Sequence, residues 1–375
     1  MKRLIFFLYI LFLLILTFFS YAFVDPNLLY YKNIYSGFAF QNKEITAFLY
    51  FLFIVLFFVF YQTFMWLFKK DKLDIREIKK LIILTILGLF FSYSAMLSYD
   101  IFNYLTTAKV AFSYHENPYI IMPIEFVGEP FLNFTRAANK LALYGPVWIL
   151  ITGAPFLLGF GKFFFTLINF KFIIVIFYVL TSWIIYKFKN NPYTVLFFAL
   201  NPLVIIETLI GGHNDIVMMF FALSSFFFIK QKKYILAICF FIVSILIKYA
   251  TLFLLPIFIY ILWRTKINKA INWDKIFLYS FFSMLIIFFL SPIREEMYPW
   301  YAIWFLVFSS LITNKKIILL FSISISFGLL LRYIPYMYLG TYFGIVPILK
   351  ILLTILPLIV GGIIYFMQTN KFKKT

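Results

Sequence analysis

The sequence has a single cysteine, two histidines and few acidic residues. One cysteine, Cys239, excludes an internal disulfide and a cysteine-based zinc site. Charged residues make up 13% of the 375 positions and hydrophobic residues 64%, whereas soluble domains contain roughly 25% charged residues. These proportions exclude a soluble enzyme, a disordered chain and a coiled coil. The 55 Phe and 27 Tyr residues lie in long apolar stretches, which is typical of an all-α polytopic membrane protein.

The positive charge is concentrated in short segments between the apolar stretches. The formal net charge is +19, and segments 69–80, 230–233 and 264–275 contain many of the lysine and arginine residues. Basic loops mark the cytoplasmic side of a membrane protein. We therefore predict a multi-pass protein of the cell membrane with both termini in the cytoplasm. The lipid bilayer is an expected partner, and nucleic acid is not.

The apolar stretches predict about 12 transmembrane helices. A further apolar stretch, 144–160, contains several Gly and Pro residues and is predicted to be an interfacial or re-entrant helix. The first helix is interpreted as uncleaved, with a signal peptide as the alternative. The predicted organisation is a two-helix hairpin with its inside loop at 1–80, a core at 81–312 with an outer loop at 99–143, and C-terminal transmembrane helices at 313–375.

Asp100 is the first candidate for a functional residue, because it directly follows the third predicted span. An aspartate at the boundary between water and lipid is costly unless it is paired or used. As a functional residue it would be a general base that takes a proton from an acceptor hydroxyl. The structural alternative is an N-cap of the helix predicted over 101–113.

A second polar group combines Glu207 with the segment Gly212-His213-Asn214-Asp215. The predicted topology places it on the same side of the membrane as Asp100. Carboxylate and amide groups suit the hydroxyls of a sugar, and the set also offers ligands for a divalent cation. The structural alternative is that Asn214 or Asp215 caps the next helix.

Two cations outside the cytoplasmic loops are candidates for binding a phosphate. Lys248 lies at the end of a short apolar span, and Arg294 lies in a loop between two spans. The alternative for Lys248 is that it extends to the interface. Trp300 is either an interfacial aromatic residue or a platform for a sugar face.

Several short motifs occur in an order that is found in one protein family. In chain order they are Ser-x-Asp-x-x-x-Tyr at 98–104, Asn-Pro-Tyr at 117–119, Tyr-Gly-Pro at 144–146, Asn-Pro at 201–202, Gly-His-Asn-Asp at 212–215, Lys248 and Pro-Trp-Tyr at 299–301. The chain thus resembles the polyprenol-phosphomannose-dependent α-mannosyltransferases of the GT-C superfamily. The resemblance covers residues 81–312, so the predicted core is GT-C-like.

This resemblance implies a function and a set of site residues. GT-C enzymes carry a catalytic acidic residue in their first extracytoplasmic loop, which matches Asp100, and use a polyprenyl-phosphate sugar. We therefore expect a membrane glycosyltransferase that moves a hexose, mannose by resemblance, from a polyprenyl-phosphate donor to a glycan or glycolipid acceptor on the extracytoplasmic face with inversion. The expected substrate-binding residues are Glu207, His213, Asn214, Asp215, Lys248, Arg294, Tyr104, Tyr119 and Trp300.

Two questions stay open at this point. A divalent cation is possible, and no other cofactor is predicted. The alternative function is a membrane transporter or flippase for a lipid-linked sugar or a small solute. The acidic residues gather at one predicted membrane face, which favours the enzyme.

Overall fold

The structure is a computed structural model that describes residues 2–31, 37–293 and 295–372, with the side chains of Leu29 and 368–372 excepted. Helices account for 76% of the chain, and the described residues contain no β-strand. The predicted all-α class is confirmed for this part of the chain.

The described residues form α-helices along most of the chain. In chain order these helices are α1 (Lys2–Ser20), α2 (Phe38–Gln41), α3 (Lys43–Lys69), α4 (Ile75–Leu89), α5 (Asp100–Phe112), α6 (Pro146–Leu157), α7 (Phe163–Lys189), α8 (Pro192–Ala199), α9 (Pro202–Ile205), α10 (Asp215–Lys230), α11 (Tyr234–Ile247), α12 (Leu255–Lys266), α13 (Trp273–Leu290), α14 (Ile303–Ser309), α15 (Lys316–Leu331), α16 (Ile334–Leu339) and α17 (Val346–Phe372). Short 3-10 helices lie between several of them, and a π-helical turn, Ile206–Ile210, follows α9.

Six helical segments among the described residues are long and apolar enough to cross a membrane. They are Lys2–Phe23, Lys43–Lys69, Phe163–Lys189, Trp273–Ile293, Lys316–Leu339 and Val346–Met367. Segments Pro192–Ala199 and Pro202–Ile210 add a seventh if they form one span bent by 59°. Helices of 16 residues or fewer, such as α10 and α11, lie where further spans were predicted. A total of about 12 spans is therefore not confirmed.

The longest helices, α3, α7 and α17, have 27 residues each. At about 1.5 Å per residue such a helix is roughly 40 Å long, which exceeds the roughly 30 Å hydrocarbon core of a bilayer. Lysines stand in the last turns of α3 and α7. A cation there is favoured by the helix dipole, and its long side chain can reach the polar interface.

The chain divides into two compact units. The first unit comprises Met1–Phe38, Ile83–Ile184 and Ile206–Leu252, and the second comprises Ala39–Ile82, Ile185–Ile205 and Phe253–Thr375. The three-part division predicted from the sequence, with boundaries at 80 and 312, stays a prediction.

In the first unit, Lys171 of α7 holds the end of α4. Its buried amino group donates hydrogen bonds to the carbonyl oxygen of Ser92 at 2.6 Å and to that of Leu89 at 3.4 Å. It also donates to the hydroxyl of Ser92 at 3.0 Å. The last carbonyls of a helix lack partners within the helix, and that of Leu89 accepts from the N–H of Ser92 at 2.9 Å and its hydroxyl at 2.7 Å as well as from Lys171. Ser92 and Lys171 together therefore fix where the segment leading to Asp100 begins.

Gly145 brings the start of α6 against the end of α11. Its N–H donates to the carbonyl oxygen of Ile247 at 3.1 Å. A Cβ at this position would lie 2.1 Å from the carbonyl oxygen of Leu246, so only glycine permits the approach. Pro146 then starts α6, where its fixed φ is favourable. The interfacial or re-entrant placement predicted for 144–160 stays a prediction.

In the second unit, α15 and α17 approach closely at Gly328. A Cβ on Gly328 would lie 2.7 Å from the carbonyl oxygen of Thr354. The buried Tyr50 of α3 donates its hydroxyl hydrogen to the carbonyl oxygen of Leu330 at 2.9 Å. These contacts tie three helices of the second unit together.

Candidate active site

A turn of two glycines, Gly211 and Gly212, positions His213 against Glu207. Glu207 lies in the π-helical turn Ile206–Ile210, a helix variant that occurs often at functional sites. Gly212 has a φ of +70°, which glycine adopts without strain. A Cβ on Gly211 would lie 2.9 Å from Cδ2 of His213. The two glycines therefore let the chain turn so that His213 packs against its own preceding helix.

The imidazole of His213 lies between two carboxylates. Its Nδ1 is 3.5 Å from Oδ2 of Asp100, and its Nε2 is 3.3 Å from Oε2 of Glu207. The side chains of His213 and Glu207 are 0% and 1% exposed, whereas that of Asp100 is 24% exposed. We call these three residues the carboxylate–imidazole cluster. Asp100 is its accessible end, and the other two members lie behind it.

The charge of His213 follows from its surroundings in this turn between helices. Burial by itself would lower the pKa of His213, but the carboxylates of Asp100 and Glu207 outweigh it and raise the pKa to about 9. His213 is therefore an imidazolium at neutral pH. Its positive charge compensates the negative charges on both sides of it.

Asp100 is the first residue of α5 and not its N-cap. Tyr99 occupies the N-cap position, and the helix predicted over 101–113 runs from Asp100 to Phe112. The backbone N–H of Asp100 donates to the hydroxyl of Ser98 at 3.3 Å. The capping alternative is thus wrong for Asp100, because its carboxylate faces His213.

Asp215 and Lys248 form a second ion pair beside the glycine turn. Asp215 begins α10, and Lys248 directly follows α11. The ammonium of Lys248 is 2.9 Å from Oδ1 of Asp215, and the two side chains are 19% and 0% exposed. Lys248 is therefore held by a buried carboxylate.

Asn214 stands between the two ion-paired groups with a buried side chain. Neither the amide nitrogen nor the amide oxygen has a hydrogen-bond partner among the described residues. Asn214 occupies the N-cap position of α10, as the structural alternative predicted, but its side chain makes no capping hydrogen bond. Its backbone N–H donates to the hydroxyl of the buried Tyr104 at 3.3 Å.

Two other predicted site residues have different surroundings, and a third is not described. The hydroxyl of Tyr119 donates to the carbonyl oxygen of Tyr144 at 2.7 Å. Trp300 belongs to the second unit, where its ring stacks on that of Tyr298 with the centroids 4.5 Å apart. Arg294 lies outside the described residues.

Sequence reasoning missed Asp25, a buried carboxylate of the first unit. Its Oδ2 accepts hydrogen bonds from the hydroxyl of Tyr99 at 2.9 Å and from the guanidinium of Arg136 at 2.6 Å. Tyr99 directly precedes Asp100, so this network fixes the start of α5. The signal was available, since Asp25 follows an apolar span just as Asp100 does.

A cavity of about 320 Å³ lies elsewhere in the first unit. Its wall is mostly apolar and includes Phe112, Phe131 and Phe156, and Lys109 is the one cation among the described residues that line it. The ammonium of Lys109 is 2.7 Å from Oε1 of the buried Glu129. Lys109 thus has its own counter-ion.

The described residues contain no group of three or more His, Cys, Asp or Glu side chains arranged to hold a metal ion. In the carboxylate–imidazole cluster, the imidazole itself fills the space between the carboxylates of Asp100 and Glu207. The possible divalent cation predicted from the sequence therefore has no assigned ligands in this part of the chain.

Long apolar helices and a buried ionic cluster with one accessible carboxylate are features of a membrane enzyme. A family model described as alpha-(1->6)-mannopyranosyltransferase, N-terminal domain, matches residues 11–264. This match covers more than half of the chain and includes the carboxylate–imidazole cluster, so the chain belongs to this mannosyltransferase family. No curated protein and no solved structure matches the chain significantly. The family and the apolar helices together fit a membrane glycosyltransferase.

Proposed function

We propose that the protein transfers mannose from a polyprenyl-phosphate donor to a hydroxyl of a glycan or glycolipid on the extracytoplasmic side of the cell membrane. The observation that carries this proposal is the carboxylate–imidazole cluster, in which Asp100 is the accessible end. Membership of a mannosyltransferase family supports mannose as the transferred sugar. The GT-C resemblance of the motifs supports the lipid-linked donor.

Asp100 acts as the general base of the proposed reaction. Its carboxylate takes the proton of the acceptor hydroxyl while the oxygen forms a bond to the anomeric carbon. The bond from this carbon to the phosphate oxygen breaks, and its electron pair leaves with the polyprenyl phosphate. Attack opposite the leaving phosphate inverts the anomeric centre.

His213 and Glu207 support Asp100 from behind. His213 lies 3.5 Å from the carboxylate of Asp100, so it orients the base. Its positive charge also compensates the negative charge of the buried Glu207, 3.3 Å away. The cluster therefore keeps two carboxylates close to each other without a large net negative charge.

The neighbouring polar residues are proposed to bind the substrates. The buried amide of Asn214, which has no hydrogen-bond partner among the described residues, suits a sugar hydroxyl. Lys248, still 19% exposed beside Asp215, is a candidate for the departing phosphate, whose developing charge a cation stabilises. Tyr104, Tyr119, Trp300 and Arg294 stay proposed substrate contacts on the basis of the motifs alone.

The proposed membrane arrangement follows the distribution of basic residues. Loops 99–143 and 292–298 lie outside, and loops 69–80, 230–233 and 313–316 lie in the cytoplasm with both termini. Crossing by about 12 helices requires that helices of 16 residues or fewer, such as α10 and α11, also span a locally thinned bilayer.

Asp100→Asn tests the catalytic role of the cluster. An amide keeps the shape of the carboxylate and cannot accept the proton as a base, so transfer from radiolabelled polyprenyl-phosphate mannose should fall by about 10²–10⁴-fold. Donor-lipid binding and expression should persist. Asp71→Asn makes the same change at an exposed loop position and should keep normal transfer.

The same assay separates the enzyme from the transporter or flippase. An enzyme forms a labelled glycan or glycolipid in detergent, where no membrane separates two compartments. The transporter would be favoured over the transferase if no candidate acceptor gave a labelled product and the intact donor moved across a reconstituted bilayer. Normal transfer by Asp100→Asn would remove Asp100 as the base.

A further inference from the structure

The second unit contains a separate ionic cluster in which two cations meet one carboxylate. Oε1 of Glu296 is 3.1 Å from the guanidinium of Arg332 and 2.8 Å from the ammonium of Lys350. Arg332 lies next to the end of α15, and Lys350 lies on α17. We call these three residues the Glu296 cluster. None of them belongs to the carboxylate–imidazole cluster.

The Glu296 cluster has an excess of positive charge that is largely withdrawn from solvent. The side chains of Arg332 and Lys350 are only 8% and 12% exposed. Glu296 is the one carboxylate in the described part of the chain that forms an ion pair with either cation. Two cations and one carboxylate leave one uncompensated positive charge, which is costly at this degree of burial unless a further anion binds.

Arg332 and Lys350 differ in how fully their donors are used. Arg332 also donates to the hydroxyl of Thr354 at 3.2 Å and to the carbonyl oxygen of Lys350 at 3.3 Å. An ammonium has three N–H donors, and that of Lys350 makes one hydrogen bond to a described residue, the bond to Glu296. Its other donors can therefore bind a ligand. The ring of Tyr342, 5.2 Å away, covers another side of this ammonium.

Glu296 is the member of the cluster that solvent reaches most easily. Its side chain is 38% exposed, and it lies in the irregular segment between the 3-10 helices Ser291–Ile293 and Pro299–Ala302. A carboxylate on an irregular segment can move away from the cations more easily than one on a helix. Its oxygen occupies the position between the two cations that the oxygen of another anion would take.

We propose that the Glu296 cluster is a binding site for a phosphate group, in which Lys350 and Arg332 bind the phosphate oxygens and Glu296 competes with them as an internal anion. Guanidinium and ammonium groups together are a common pair for binding phosphate. The phosphate comes either from a lipid headgroup or from free phosphate. The proposal concerns binding alone, so it does not depend on the transferase reaction.

The test compares two variants that should change phosphate affinity in opposite directions. Binding of inorganic phosphate and of dodecyl phosphate is measured by calorimetry on the full-length protein in an uncharged detergent. Lys350→Gln should weaken binding by about tenfold, the factor of one charge-assisted hydrogen bond. Glu296→Gln should strengthen binding, because it removes the competing charge. Lys315→Gln, at an exposed lysine before α15, should leave affinity unchanged.

Each outcome has a definite meaning. Binding of dodecyl phosphate alone, with these opposite effects, identifies the ligand as a lipid phosphate, and binding of both probes shows that free phosphate suffices. If neither probe binds, or if Lys350→Gln and Lys315→Gln behave alike, the site is refuted. Weaker binding by Glu296→Gln would also refute it, because the carboxylate would then be part of the site's structure. Melting temperatures of all variants identify any loss of folding.

Discussion

At the scale of single residues, the protonation of His213 links the candidate site to pH. The pKa of His213 is raised to about 9, whereas a histidine in an unfolded chain has a pKa of about 6.5. A raised pKa in the folded state stabilises the fold fully below about pH 6.5. This contribution is lost progressively as the pH rises to about 9, because the folded protein then loses the same proton.

We expect His213→Asn to lower the melting temperature at pH 6.5 by about 5–10 °C, since removal of one partner leaves the buried charge of Glu207 uncompensated. The wild-type protein should itself lose stability between about pH 6.5 and 9, so the difference between the two proteins should shrink over this interval. Thermal unfolding in detergent at a series of pH values measures both effects.

His115→Asn is the matched control for this series. His115 is the other histidine of the chain, and it is exposed. Its φ of 56° lies in a region that asparagine tolerates. The melting temperature of His115→Asn should change with pH as that of the wild type does. If His213→Asn also follows the wild type, His213 is not the charged centre of the cluster.

The site residues were predictable from the sequence to a limited extent. Asp100, Glu207 and His213 stood out because polar residues are rare at the ends of apolar stretches. The contact between His213 and Glu207 is local, but the contact between His213 and Asp100 joins positions more than 100 residues apart, and no local pattern encodes it. The burial of Asp25 beside Arg136, 111 positions away, was unpredictable for the same reason.

At the scale of helices, Gly145 determines how α6 meets the end of α11. The next residue after α11 is Lys248, so a displacement of this end would move the partner of Asp215. We expect Gly145→Ala to lower the melting temperature by about 2–10 °C, because a Cβ would overlap the carbonyl of Leu246. Transfer activity should fall with it.

Gly362→Ala is the control for Gly145→Ala. Gly362 lies on α17, and nothing lies within 4 Å of the position of its Cβ. Alanine is the better helix former by about 0.5–1 kcal/mol, so the melting temperature should stay equal or rise slightly. A normal melting temperature and activity of Gly145→Ala would show that the contact between α6 and α11 is not needed.

The helices were more predictable than their lengths. Apolar stretches predicted helical segments along most of the chain, because a backbone in lipid must satisfy its own hydrogen bonds. Where a helix breaks depends on tertiary contacts as well. The end of α4 at Leu89, for example, is held by Lys171, a residue 82 positions away. The composition of the stretch around Leu89 does not indicate such a break.

At the scale of the whole molecule, the distribution of basic residues predicts the topology. Lysines in loops are retained on the cytoplasmic side during insertion, and loop 230–233 contains three of them. Loop 99–143 should then lie outside together with Asp100 and its lipid-linked substrate. This prediction concerns the side of the membrane on which the reaction takes place.

Cysteine labelling tests this topology. In a Cys239→Ser background, which removes the exposed native thiol, single cysteines replace Glu116 or Lys233, both of which are exposed. A membrane-impermeant maleimide should label position 116 in intact cells and position 233 only after lysis, because the bilayer blocks the reagent. The background protein should stay unlabelled in both conditions. Labelling of position 233 in intact cells would show that the topology is the inverse of the predicted one. The carboxylate of Asp100 would then have to act on a donor presented in the cytoplasm.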